Sequence, residues 1–340
     1  MWNPAKLRKI ENLSIQVLIL IITYLFLYNQ VFKKTDIPGI IKNLSEDFNK
    51  PDFNSQVILL ALMMIINWSV EALKWKLLIG KIEKVSFFKS LQGVLTGISV
   101  SSFTPNRIGE FFGRAFILKQ ASHVEGILIT VLGSMSQLLV TLLTGSLALV
   151  IFLPWCLPEA VFSHGYLYFT ILALILFLDI LLLGLFFNVA FLSTLKEKIL
   201  RNGLKKIRRF FRVFAFYRNI ELLLVMLLSL LRYFIFSTQF YILLRLFDVP
   251  VPYLDALVLI SLTYFIMAVI PTIALTELGI RGSVAIYVFG LYLAQVYPDT
   301  TIFKLGVFSA STFLWLINLG IPAVVGTFFV FRLQFFRKGE

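Results

Sequence analysis

The chain of 340 residues is 59% hydrophobic and only 14% charged, and its mean hydropathy is +0.89. Soluble domains usually carry about 25% charged residues, so the composition excludes a soluble fold and indicates an integral membrane protein. The formal net charge of +13 is then a signal of membrane topology and of attraction to an anionic leaflet, and we predict no nucleic-acid partner.

Six apolar segments are long enough to cross a bilayer, whose hydrocarbon core of roughly 30 Å requires about 20 residues of helix. In chain order they are Leu13–Phe32, Ser55–Ile79, Gly126–Leu153, Tyr166–Leu195, Leu222–Leu244 and Leu305–Phe331. The first lacks the small-residue cleavage site of a signal peptide, so we expect a retained helix. The sequence therefore predicts an all-α polytopic membrane protein.

Two further apolar regions are interrupted near their middle. Phe87–Gln120 is broken at Thr104-Pro105, and both of its arms are too short to span, so we predict a re-entrant hairpin that returns to the side it entered from. Leu254–Tyr297 is broken at Pro271 and around Thr276, and this region is either a second hairpin or two full spans. One glycine follows each break, Gly109 the first and Gly279 the second, and we predict that these glycines belong to the non-helical breaks.

Basic residues set the predicted orientation. With the N-terminus in the cytoplasm, most of the 31 Lys and Arg residues fall on the cytoplasmic side, as the positive-inside rule requires. The predicted location is the inner (cell) membrane with both termini in the cytoplasm. Between the fourth and fifth spans, residues 196–219 combine basic and apolar side chains, as an amphipathic helix on the cytoplasmic surface would.

The same orientation makes the second half of the chain an inverted copy of the first. Residues 1–153 form one predicted half-repeat, and residues 154–195 with 220–332 form the other, all within a single transmembrane domain. Inverted repeats with broken helices that meet near the midplane are the architecture of many secondary transporters. The sequence thus favours a transporter with its site at the two breaks.

Each break is followed by a Glu and an Arg four residues apart. Arg107, Glu110 and Arg114 share one helical face after the first break, and Glu277 and Arg281 follow the second. The planar fork of Arg suits phosphate in a poorly hydrated site. We therefore predict a phosphate-binding site formed by the following residues: Thr104, Arg107, Glu110, Arg114, Thr276, Glu277 and Arg281.

Charged residues also occur inside three of the predicted spans. Asp179 and Arg232 lie at matching depth, where an ionised group costs at least about 2.5 to 3.5 kcal/mol, so we predict either a buried ion pair between them or a role in substrate passage. Glu71, one turn from Lys74, is assigned a structural role.

The segment "FTPNRIGEFFGR" resembles the T-P-x-R-x-G-E motif of the lysylphosphatidylglycerol synthase transmembrane-region family, also called the flippase-like domain. The segment "PTIALTELGIRGSVAIYVFGL" resembles the second motif of that family. The residues that match are Thr104, Pro105, Arg107, Gly109 and Glu110 in the first motif, and Pro271, Gly279 and Arg281 in the second. The resemblance implies movement of a lipid between leaflets, with an anionic lipid or polyprenyl-phosphate head group as the partner.

Two other function classes stay open: a membrane-embedded transferase acting on a polyprenyl phosphate, and a scaffold for a lipid-modifying partner. Against an enzyme, the two His residues, His123 and His164, lie in separate loops, and no metal-binding motif is present. We predict no metal and no cofactor. The single Cys156 forms no intrachain disulfide.

Overall fold

A computed structural model describes residues 4–28, 53–104, 107–156, 166–188, 212–270, 274–331 and 333. All regular secondary structure in these ranges is helical. Most of the predicted amphipathic segment 196–219, together with Pro105, Pro271 and His164, lies outside the described residues.

Eleven α-helices follow one another along the described chain. They are α1 (Pro4–Tyr28), α2 (Phe53–Ile79), α3 (Phe87–Ser101), α4 (Gly109–Ala115), α5 (His123–Cys156), α6 (Tyr166–Phe187), α7 (Asn219–Leu246), α8 (Tyr253–Val269), α9 (Ala274–Val296), α10 (Thr301–Trp315) and α11 (Ile321–Val330). A short 3₁₀ helix, Arg212–Phe216, precedes α7, and a π-helical turn, Leu316–Gly320, joins α10 to α11 without a break.

Six helical segments of the described chain are long and apolar enough to cross a membrane. Five of them, in α2, α5, α6, α7 and the continuous α10–α11 helix, correspond to predicted spans, and the sixth is Glu277–Val296 in α9. The described apolar part of α1 is shorter, at Ile10–Ile19. The prediction of an all-α polytopic membrane protein is confirmed.

The first interrupted region folds back on itself as predicted. Helix α3 has 15 residues and is therefore about 22 Å long, and α4 has only 7 residues. The two helices are antiparallel and very close: a Cβ atom placed on Gly113 would lie 2.7 Å from the Cα atom of Gly97. A Cβ atom on Gly109 would overlap the carbonyl group of Val100, so glycine is required at these crossings.

The second interrupted region has one short arm and one long arm. Helix α8 has 17 residues, which is about 25 Å, and α9 has 23 residues, which is about 35 Å. Helix α8 ends at Val269, and α9 begins at Ala274. The assignment of Gly279 to the break is wrong, because Gly279 lies inside α9 and a Cβ atom there would meet nothing within 4 Å.

The packing partners of the helices occur in matched pairs. Helix α3 packs on α11 while α8 packs on α5, and α4 packs on α5 while α9 packs on α10. Helix α1 packs on α11 while α6 packs on α5, and α2 packs on α7 at the centre. If helices α1 to α5 are exchanged in order with α6, α7, α8, α9 and the continuous α10–α11 helix, this pattern of contacts is unchanged, as an inverted repeat requires.

A buried carboxylate closes the base of the first hairpin, outside the spans. Glu83, in the loop between α2 and α3, accepts hydrogen bonds from the backbone N–H groups of Lys119, Gln120 and Ala121 at 2.8 to 3.0 Å and from the ammonium of Lys89 at 2.7 Å. Burial alone would raise the pKa of Glu83, but these hydrogen bonds outweigh burial and lower the pKa to about 2.

Replacing Glu83 by Gln should therefore destabilise the protein in a pH-dependent way. Because its pKa is lowered on folding, the Glu83 carboxylate contributes stability above its unfolded value near 4.5, and that contribution is lost as the pH falls towards 2. At pH 7 we expect a loss of about 2 to 3 kcal/mol. Melting curves in detergent should show that the difference in melting temperature between wild type and Glu83→Gln becomes smaller between pH 4.5 and pH 3.

The exposed Glu11 provides a matched control, since Glu11→Gln removes a carboxylate that protrudes from α1. We expect that variant to have the same melting temperature as the wild type at every pH. If the difference in melting temperature between wild type and Glu83→Gln stayed constant from pH 7 to pH 3, the role assigned to the charge of Glu83 would be contradicted.

Candidate functional site

The tips of the two interrupted regions meet through an ion pair. The guanidinium of Arg107, at the first tip, donates to Oε1 of Glu277 at 2.6 Å, across a separation of 170 residues. Glu277 lies in the first turn of α9. Arg281, four residues later in the same helix, donates to the same oxygen at 2.9 Å. One carboxylate therefore holds an arginine from each half of the chain.

Arg107 has a backbone conformation that is unusual for a residue other than glycine. Its φ angle is 56°, in the left-handed region, where side chains such as Arg are rarely found and where strain often accompanies function. Thr104 holds this turn, because its hydroxyl accepts the N–H of Gly109 at 2.8 Å and donates to the carbonyl of Ser101 at 3.2 Å. Thr104 thus shapes the first tip.

A second cluster of charges lies behind the tips, centred on Glu71. One oxygen of its carboxylate accepts from Arg114 at 2.7 Å, and the other accepts from Lys74 at 2.8 Å and from Arg232 at 3.0 Å. Arg114 also pairs with Glu110. The side chains of Glu71, Lys74 and Arg114 are 4%, 2% and 2% exposed, so Glu71 joins three cations inside the membrane domain.

The predicted ion pair between Asp179 and Arg232 is not formed in the described structure. Arg232 is bonded to Glu71 and Asn67, whereas Asp179 accepts from the hydroxyl of Ser146 at 2.7 Å. Asp179 lies on α6, which packs on α5 and exposes most of its surface. Equal depth does not imply contact, because Asp179 lies on α6, which packs on α5, whereas Arg232 lies on α7 and is directed towards Glu71 of α2.

A cavity of about 280 Å³ lies beside the ion pair of the tips. Its charged lining consists of three arginines, Arg107, Arg232 and Arg281, and one acid, Glu277. Three positive groups and one negative group give the lining a formal charge of +2. Aromatic rings complete the wall, among them Trp68, Tyr233, Phe236 and Tyr264.

The predicted site residues do not all meet at the cavity. Arg107, Glu277 and Arg281 line the cavity together with Arg232, while Thr104, Glu110, Arg114 and Asp179 are not among the residues of its wall. Arg114 and Glu110 instead belong to the cluster around Glu71. Pro105, Pro271 and the side chain of Thr276 are not described.

Several buried donors of the cavity wall lack a hydrogen-bond partner in the described structure. They are Nε1 of Trp68, the hydroxyl of Tyr264 and Nε of Arg281. One buried acceptor of the wall, Oε1 of Gln137, also lacks a partner. An unsatisfied buried polar group costs about 1 to 3 kcal/mol, so the three donors favour an acceptor in the cavity. The wall is rich in donors and cations and contains one carboxylate among the described residues.

A chain of buried amides orients Arg232 and was missed in the sequence. Asn67 accepts from Nε of Arg232 at 3.1 Å and donates to Asn318 at 2.9 Å, and Asn318 donates to Gln239 at 3.1 Å. The guanidinium carbon of Arg232 also lies 4.7 Å from the centroid of the Trp68 ring, a cation–π distance. The signal was present, since each amide is a polar residue within a long apolar span.

The described residues contain no group of three His, Cys, Asp or Glu side chains that could hold a metal ion. His123 packs its ring against Phe116, with the two centroids 4.7 Å apart.

Comparison with protein families identifies one match: the model described as the lysylphosphatidylglycerol synthase TM region covers residues 13–292. That range includes the first interrupted region, the second as far as residue 292, and every charged residue of the cavity wall. No curated protein and no solved structure shows significant similarity to the chain.

Proposed function

Because this chain belongs to the lysylphosphatidylglycerol synthase TM region family, whose function concerns membrane lipids, we propose that it is a lipid translocase. In this proposal the cavity at the two tips binds the phosphate of a lipid head group, and the protein moves that lipid between the leaflets. The protein acts in the cell (inner) membrane, with both termini in the cytoplasm.

The observation that carries the proposal is the meeting of Arg107, Arg232 and Arg281 at one cavity between the two interrupted regions. Guanidinium groups donate paired hydrogen bonds to phosphate and stay charged in a poorly hydrated site. A site at the junction of two inverted halves is also the place where rocking of one half against the other would expose it alternately to each side.

The charged residues take different roles in this scheme. Arg107 and Arg281 contact the phosphate from opposite halves, and Arg232 contacts it from the central helix α7. Glu277 balances the first two arginines when no lipid is bound. Arg114 and Glu110, buried behind the first tip with Glu71, hold that tip in place.

Transport should depend on the arginine fork at both tips. We expect the double variant Arg107→Gln, Arg281→Gln to lose at least about tenfold in transport rate while remaining folded, because no cation from either tip then faces the phosphate. Lys at either position should preserve folding and weaken transport less, since a point charge replaces the fork. The measurement is movement of acyl-labelled phospholipids in sealed proteoliposomes.

The exposed Arg245, at the end of α7, supplies the control. Arg245→Gln removes one positive charge away from the cavity and should transport at the wild-type rate. Wild-type transport by the folded double variant would refute the proposed site. Conversion of a lipid in detergent, with no need for a sealed vesicle, would favour a transferase instead.

A further inference from the structure

The charges at and behind the two tips form two groups with different formal sums. The cavity charges, Arg107, Arg232, Arg281 and Glu277, have a formal sum of +2. The supporting charges, Glu71, Lys74, Glu110 and Arg114, have a formal sum of zero and are joined by ion pairs, and Glu71 also pairs with Arg232 of the cavity. The two groups therefore form one network with a formal charge of +2, and three of its five cations line the cavity.

An excess of two positive charges inside a membrane protein is costly unless an anion compensates it. A phosphate diester, as in most phospholipids, supplies one negative charge. A phosphate monoester supplies about 1.5 to 2 negative charges at pH 7, because its second proton is lost near pH 6. Only the monoester brings the cavity close to neutrality.

The unsatisfied donors of the wall point in the same direction. Nε1 of Trp68, the hydroxyl of Tyr264 and Nε of Arg281 lack partners in the described structure. A monoester has three terminal oxygens to accept hydrogen bonds from them, whereas a diester has two.

We propose that the cavity selects lipids whose head group is a terminal phosphate monoester, and that it discriminates against phosphodiester and amine-bearing head groups. Phosphatidic acid and polyprenyl monophosphates share this chemistry. The inference rests on the proposed function, because it names the substrate class of the same site. An amine would place a further cation beside three arginines, and the one carboxylate of the described wall is already bonded to two of them.

Binding to the purified full-length protein in detergent tests this selectivity. We expect phosphatidic acid to bind at least about tenfold more tightly than phosphatidylglycerol with the same acyl chains. Its affinity should rise between pH 5 and pH 8 as the second proton is lost, while that of phosphatidylglycerol should stay flat. Inorganic phosphate should compete only weakly, because it lacks the lipid chains.

The outcomes separate this inference from the proposed function. Equal affinity for the two lipids, with both moved across sealed vesicles, would overturn the monoester selectivity and leave lipid translocation standing. Inorganic phosphate binding as tightly as phosphatidic acid would show that the site serves a soluble anion. Movement of neither lipid would contradict the proposed function itself.

Lowering the cavity charge provides a second test. Arg232→Gln reduces the formal charge of the cavity from +2 to +1, so the preference for phosphatidic acid over phosphatidylglycerol should shrink to less than about threefold. Arg281→Gln makes the same change in charge from another helix and should give the same result if the first variant does not fold. Arg245→Gln should keep the full preference for phosphatidic acid. An unchanged ratio of the two lipid affinities in a folded cavity variant would refute the charge argument.

Discussion

Glu71→Gln should be one of the most damaging single substitutions in this protein, with an expected loss of about 3 to 5 kcal/mol in the free energy of unfolding. The carboxylate of Glu71 accepts from Arg114, Lys74 and Arg232. A neutral amide leaves these three cations facing one another in a site shielded from water. Thermal unfolding in detergent should show a fall of roughly 10 °C in the melting temperature.

A surface ion pair offers the matched control. Glu221 pairs with Lys81 at 2.6 Å, but the two side chains are 25% and 30% exposed, and exposed pairs contribute only about 0 to 1 kcal/mol. Glu221→Gln should therefore change the melting temperature by no more than roughly 3 °C. If Glu71→Gln were equally mild, the three cations would not depend on that carboxylate.

Gly326→Ala should be the most damaging change among the glycines that face another helix, with a loss of about 3 kcal/mol or more. A Cβ atom at this position would overlap the backbone carbonyl of Leu95 and the hydroxyl of Ser99. Ser99 in turn donates to the carbonyl of Ala323 at 2.6 Å, so α3 and α11 are in direct backbone contact. Separating them would displace the first hairpin and its tip.

Gly290→Ala provides the comparison, since a Cβ atom there would meet nothing within 4 Å. The same substitution in the open part of α9 should be neutral or stabilising by up to about 1 kcal/mol, because Ala is the better helix former. The two variants should be compared by melting temperature and by yield of monodisperse protein. Equal yields and equal melting temperatures would show that α3 and α11 can separate without cost.

Local features of the sequence were sufficient to predict the first hairpin. Its arms are too short to span, and the Thr104-Pro105 break separates them, so no other topology fits the bilayer. The two Glu–Arg pairs, at 110 and 114 and at 277 and 281, form as their four-residue spacing suggests. Each of these predictions depends on residues close together in the chain.

Contacts between distant helices could not be predicted in the same way. The position of Asp179 and Arg232 along their spans fixed depth, but neither which helices adjoin nor which faces meet. The actual partner of Arg232, Glu71, is 161 residues away, and its sequence context indicates only a local role beside Lys74. Likewise, the spacing of Arg114 predicts a phosphate-binding role, although its face of α4 is directed towards Glu71.

The π-helical turn Leu316–Gly320 has a consequence for the number of residues in the last span. In this turn the N–H of Ile321 bonds to the carbonyl of Leu316, so one residue more than in an α-helix fits into the turn. Deleting one residue here would restore α-helical geometry with α11 facing nearly the same way, whereas winding the same five residues as an α-helix would rotate α11 by roughly 90° relative to α10. Gly326 would then turn away from Leu95, while the residues of α10 at the cavity stayed in place. The wide π turn, as much as the side chains, therefore sets how the end of the chain supports the first hairpin.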